Sequence, residues 1–98
     1  MVKQIIWSRR AQSELIEIFE YWNNRNKSNT FSIKLNFLIE EQLKLLIENP
    51  KIGRKTDTEN VYIKIIHKYL LYYEFMGNQL HILTIRHGSE NPKTLNLK

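Results

Sequence analysis

The chain has no cysteine, only two prolines and three glycines, and no long apolar run. Without cysteine there is neither a disulfide framework nor a thiolate metal site. The three histidines, at positions 67, 81 and 87, do not stand at metal-ligand spacing, so no metal and no cofactor is expected. No uncharged apolar stretch approaches about 18 residues, and the run before Ser8 is too short for a signal peptide, so no membrane segment is expected and the chain is read as cytoplasmic. Internal repeats and low-complexity tracts are also missing. A chain of 98 residues can close one two-layer core, which makes residues 1–98 a single domain.

What is present is concentrated in residues 61–87. The segments 61–66, 69–75 and 80–85 are rich in β-branched and aromatic residues and are separated by His67-Lys68 and by Gly77-Asn78, which predicts a three-stranded antiparallel meander. A two-residue Gly-Asn loop, with positive φ tolerated at both positions, sets Met76 opposite Gln79, Phe75 opposite Leu80 and Tyr73 opposite Ile82. Continued without interruption, that register puts Tyr69 opposite Arg86. One face then carries Tyr69, Leu71, Tyr73, Phe75, Leu80 and Ile82. The other carries Leu70, Tyr72, Glu74, His81, Leu83, Ile85 and His87, too apolar for a face left wholly to water.

Upstream, residues 2–7 have strand length and end at Ser8, a good helix N-cap. Ala11, Leu15, Ile18, Phe19 and Trp22 then recur at helical spacing, predicting a helix over residues 9–24 that polar residues 23–29 terminate. A second helix begins near residues 28–30, carries Phe31, Leu35, Leu38, Ile39, Leu43, Leu45 and Leu46 on one arc, and ends at Asn49-Pro50. Ile33 and Phe37 form an i, i+4 apolar pair outside that arc. They are read either as ordinary half-exposed side chains or as a contact surface for another chain, whether a partner protein or a second copy in a homodimer. The order strand, two helices, three strands predicts an α+β fold, an antiparallel sheet with a two-helix hairpin packed on one face, joined by the N-terminal strand.

The net charge of +5 favours an anionic partner, nucleic acid or an acidic protein segment, as much as it describes a soluble surface. Acidic side chains crowd into the predicted helices, whereas Lys51, Arg54, Lys55, Lys64, Lys68, Arg86 and Lys93 lie in the C-terminal half. Gly53 allows a sharp bend beside Lys51, Arg54 and Lys55. These three and Lys64 are candidate target- or nucleic-acid-binding residues. Arg86 and His87, at the end of the last strand, are candidates for holding a phosphate and transferring a proton, with Arg54 and Lys64 expected to converge on them. The same residues read equally well as a solvated strand end. Leu95 and Leu97, beyond Gly88 and Pro92, either fray or dock.

Taken in order, Trp7, Ala11, Leu15, Ile18 and Tyr21-Trp22, then Asn49-Pro50-x-x-Gly53-Arg54, Tyr69-x-Leu71-x-Tyr73, Ile82-Leu83-x-Ile85 and Asn91-Pro92 make the chain resemble the RelE/ParE family of bacterial toxins, also described as plasmid-stabilisation proteins. The resemblance spans nearly the whole chain. It implies the toxin of a type II toxin–antitoxin pair, causing growth inhibition until a cognate antitoxin binds it directly. It also implies one of two targets: DNA gyrase, poisoned without any cleavage, as in ParE-like members, or messenger RNA on the ribosome, cut by a metal-independent endoribonuclease, as in RelE-like members. A third reading is a degenerate, non-toxic binding module. Many relatives carry arginine where this chain has Tyr62 and Ser89, which leaves two phosphate-holding positions neutral and favours the gyrase reading.

Overall fold

The structure is a computed structural model that describes residues 4–88; Ser89, Asn91-Pro92, Lys93, Leu95 and Leu97 lie outside the described residues. Along the chain the elements are β1 (Gln4–Trp7), α1 (Arg9–Asn26), α2 (Thr30–Glu48), a 3-10 turn (Pro50–Ile52), β2 (Arg54–Lys55), β3 (Val61–Ile66), β4 (Tyr69–Met76) and β5 (Gln79–His87). Helix α1 starts at Ser8, whose hydroxyl accepts the Ala11 amide at 3.0 Å, relieving one of the unpaired donors of the first turn. It runs two residues past Asn24 because Lys27 takes the left-handed conformation (φ 54°) and returns its amide to the Asn23 carbonyl, closing the helix within the polar run rather than at its start.

On α2, Leu35, Ile39, Leu43 and Leu46 are buried, and Ile33 and Phe37 are 61% and 66% exposed, as the helical phase requires. Leu45 departs from expectation. Placed on the apolar arc by the sequence reading, it is 47% exposed, because at about 100° per residue it lies at the arc's margin, where the helix turns away from the sheet.

The two helices cover one face of a five-stranded sheet in the order β1-β5-β4-β3-β2. The N-terminal strand joins this sheet, pairing parallel to β5, while β2 to β5 are antiparallel. The two-residue β2 was not foreseen; it pairs Arg54 with Ile63 and Lys55 with Tyr62 at the edge. Gly77 alone has positive φ (59°) in the second hairpin turn, with Asn78 outside the left-handed region, so one glycine suffices where two permissive residues had been expected.

From that turn the register runs as predicted through Met76 with Gln79, Phe75 with Leu80 and Tyr73 with Ile82, and then slips by one. A β-bulge at Leu83 pairs Tyr72 with Thr84, and the remainder follows: Leu71 with Ile85, Leu70 with Arg86, Tyr69 with His87. The expected pairing of Tyr69 with Arg86 is therefore replaced by Tyr69 with His87. Ile85, assigned by simple alternation to the outer face, instead joins the buried cluster with Leu71, Tyr73, Ile82 and the α2 leucines.

The bulge is stitched to the start of α1. Ser8 donates its amide to the Ile82 carbonyl (2.9 Å) and its hydroxyl to the Leu83 carbonyl (2.9 Å). Glu14 accepts from the Thr84 hydroxyl and from the Ile85 amide (3.3 Å). Backbone groups that the broken ladder would leave unpaired thus find partners on one helix.

Candidate functional site

At the far end of β5 the strand ends and α1 border a cavity of about 560 Å³ that is open to solvent on one side. Its walls are supplied by Glu14, Glu17, Ile18, Tyr21, Trp22 and Arg25 from α1, by Lys68 and Tyr69 after the β3–β4 turn, and by Ile85, Arg86 and His87. Each contribution has a local cause. His67 holds φ at 57°, which reverses the chain within two residues and starts β4 at Tyr69. The bulge returns His87 to the helix-covered side, where its ring meets Tyr69 edge to face at 5.6 Å. Trp22 donates its indole hydrogen to the Tyr69 hydroxyl at 2.7 Å and packs on Phe31 (4.6 Å between centroids), which in turn meets His67 (5.3 Å). Arg25 lies 5.9 Å from the Trp22 ring centroid, in cation–π geometry.

Of the residues singled out in the sequence, Arg86 and His87 do reach this cavity, although the ladder sends neighbouring side chains to opposite faces. Arg54 and Lys64 do not join them. Strand β2 is separated from β5 by β3 and β4, so Arg54 stands three inter-strand spacings away, roughly 14 Å. Lys64 pairs with Leu71 on β3, two strands from β5, and is half-buried. Lys51, Arg54 and Lys55 are exposed around the edge strand and form a second cationic region rather than part of the first. Ile33 and Phe37 lie on the solvent face of α2.

The neutral residue at position 62 has a structural occupation. Tyr62 is buried and stacks on Tyr73 with ring centroids 5.6 Å apart. Tyr73 is fully buried; its hydroxyl donates to the Pro50 carbonyl (2.6 Å) and accepts the Gly53 amide (3.1 Å). Burial, opposed by the Gly53 hydrogen bond, holds this phenol above the ordinary tyrosine value, with a smaller push from Tyr62. The Asn49-Pro50-x-x-Gly53 pattern is therefore the collar of a buried tyrosine. A Cβ at Gly53 would collide with the Tyr73 hydroxyl, so glycine is required by space and not by φ.

Sequence reasoning placed Trp22 on the apolar stripe of the first helix and Tyr69 on one face of the meander, and singled out neither Arg25 nor Glu14 as a site residue. The one available signal was chemical: a buried indole or phenol needs a hydrogen-bond partner, and each of these two residues is the other's.

A two-helix hairpin on one face of a five-stranded mixed sheet, with cations at two separated sheet margins, makes this a small α+β protein with no helix, among the described residues, long and apolar enough to cross a membrane. Residues 5–92 match the sequence profile of the ParE toxin of the type II toxin–antitoxin system parDE, and the chain belongs to that family. Among solved structures, a chain of the chromosomal ParDE toxin–antitoxin system from P. aeruginosa superposes with a TM-score of 0.73, covering 89% of this chain and 96% of that one at 22% identity, a likeness of fold. A comparison with curated proteins gives no match.

Proposed function

We propose that this protein is a toxin that inhibits DNA gyrase by binding it, cleaves no RNA, and is neutralised when a cognate antitoxin covers its surface. The observation that carries the reading is that the residues expected to hold and cleave one phosphate are not gathered: Arg86 and His87 share their cavity with Glu14 and Glu17, and the other expected positions lie elsewhere. Metal-free RNA cleavage needs a base, an acid and phosphate-holding cations around one phosphate. Here Arg54 is roughly 14 Å from the Arg86 and His87 strand, Lys64 lies two strands from it, and Tyr62 is buried against Tyr73. Such a distribution suits a protein surface that grips another protein at two margins. A family defined by a toxin–antitoxin pair supports the antitoxin as the neutralising partner, and the exposed Ile33 and Phe37 offer it an apolar contact.

The test is a purified supercoiling assay run beside a ribosome-dependent messenger-cleavage assay. Inhibition of gyrase with no cleavage products is expected. Cleavage that is lost in His87→Ala while RNA binding persists would replace this reading with the endoribonuclease one. Inactivity in both assays, together with harmless expression in the absence of antitoxin, would leave the degenerate binding module.

A further inference from the structure

Among the described residues, the cavity beside α1 is lined by a tyrosine whose hydroxyl accepts a hydrogen bond and has no acceptor for its own hydrogen. An indole N–H can only donate, so in the Trp22–Tyr69 hydrogen bond the Tyr69 oxygen is the acceptor. Tyr69 is 4% exposed, and among the described residues nothing accepts its own O–H. A buried donor left without an acceptor is costly, so whatever fills the cavity has to present a lone pair there. Water can do this in the free protein; the surroundings specify what would do it better.

Arg25 and Lys68 line the same cavity, as do the apolar surfaces of Ile18, Trp22 and Ile85. An anionic acceptor attached to an apolar group therefore matches the walls. The cavity also limits how much negative charge it tolerates. Glu17 is on its wall, and Glu14 is already committed to Thr84, to the Ile85 amide and to Arg10 (3.6 Å). A nucleic-acid backbone, bringing a charge with every nucleotide, would multiply the repulsion from these two carboxylates, whereas a single carboxylate meets it once.

We infer that the cavity is a receptor for one carboxylate carried next to an aromatic or aliphatic side chain, as in an Asp-Phe or Glu-Leu step of a partner protein's acidic segment. The carboxylate accepts from the Tyr69 hydroxyl and is held by Arg25 and Lys68. The neighbouring side chain packs on Ile18, Trp22 and Ile85. That the carrier is a neutralising or target protein rests on the function proposed above; the chemistry of the receptor does not.

The experiment follows the Trp22 indole N–H by NMR on the full chain, with Trp7→Phe used to assign the two indole signals. The probes are N-acetyl-Asp-Phe-amide, its neutral isostere N-acetyl-Asn-Phe-amide, and adenosine monophosphate. The Asp peptide should shift the Trp22 signal saturably at millimolar concentration and bind about tenfold more tightly than the Asn peptide, the scale of a charge-assisted hydrogen bond. Tyr69→Phe should remove most of that preference. Arg25→Gln, on an exposed side chain where folding is not at stake, should weaken the Asp peptide several-fold and leave the Asn peptide unchanged. Equal affinity for the two peptides would overturn the inference, as would an Arg25→Gln variant that binds like the parent. Tighter binding of the nucleotide than of the Asp peptide would assign the cavity to nucleic acid instead. Neither gyrase nor antitoxin is present in this titration, so a protein that passes it and leaves gyrase untouched refutes the proposed target alone.

Discussion

Tyr73 is where a side chain does most for the fold, because one buried hydroxyl satisfies both a carbonyl and an amide of the 50–53 turn. Tyr73→Phe leaves both without a partner and should cost about 1–3 kcal/mol in urea denaturation at neutral pH. Gly53→Ala should be destabilising by a different route, steric collision with that hydroxyl. The phenol also carries a pH signature. Its value is raised in the fold, so the folded state favours the protonated form; the contribution is fully present below the ordinary tyrosine value near 10 and is lost as pH rises through the raised folded value. Wild type should therefore lose more stability than Tyr73→Phe between neutral pH and strongly alkaline pH, and parallel pH profiles for the two proteins would contradict the assignment. Glu14 is the second such residue. Glu14→Ala strands the Thr84 hydroxyl and the Ile85 amide, and a loss of about 1–3 kcal/mol is expected.

At the scale of elements, the bulge in β5 decides which side chains become a site. It puts Ile85 into the core and His87 beside Tyr69; an unbroken strand would send both to the opposite face. Helix α2 shows the complementary case, a face on which none of the described residues packs. Ile33 and Phe37 are mostly exposed, and burying both against a partner would contribute about 3 kcal/mol before association costs. The double variant Ile33→Ser, Phe37→Ser should keep the thermal midpoint within a degree or two of wild type and weaken capture by the antitoxin, measured by calorimetry with the purified pair. Failure of this variant to fold would mean that the pair supports the core, against its exposure.

For the molecule as a whole, the strand order separates a cationic edge at Lys51, Arg54 and Lys55 from the cavity lined by Arg25, Lys68 and Arg86. Two separated regions predict two separable phenotypes. Arg86→Ala and His87→Ala should fold normally, relieve growth inhibition, and in the case of Arg86→Ala restore supercoiling in the purified assay. Arg54→Ala should act additively with Arg86→Ala, because residues this far apart share no partner. A double variant at positions 86 and 87 that remains fully toxic would remove the strand end from the binding surface. An Arg54→Ala effect that vanishes in the Arg86→Ala background would argue for one joined site.

The residues by themselves determined both helices and the four longer strands, the helix phase that exposes Ile33 and Phe37, the α+β order, and the register from Gly77 back to Tyr73. These depend on local chemistry: an N-capping serine, a 3.6-residue apolar period, a two-residue turn that admits positive φ. The family was legible too, from motifs whose structural sense emerged only in the fold, such as the proline–glycine collar around Tyr73. The tertiary structure decided the bulge, the distance between the two cationic regions, and the open hydroxyl of Tyr69. Ser8 reaches Leu83 across 75 residues, Glu14 reaches Thr84 across 70, and Trp22 reaches Tyr69 across 47. Periodicity carries no record of such pairings, because a bulge changes no residue's propensity and an unused hydrogen exists only once its neighbours are in place.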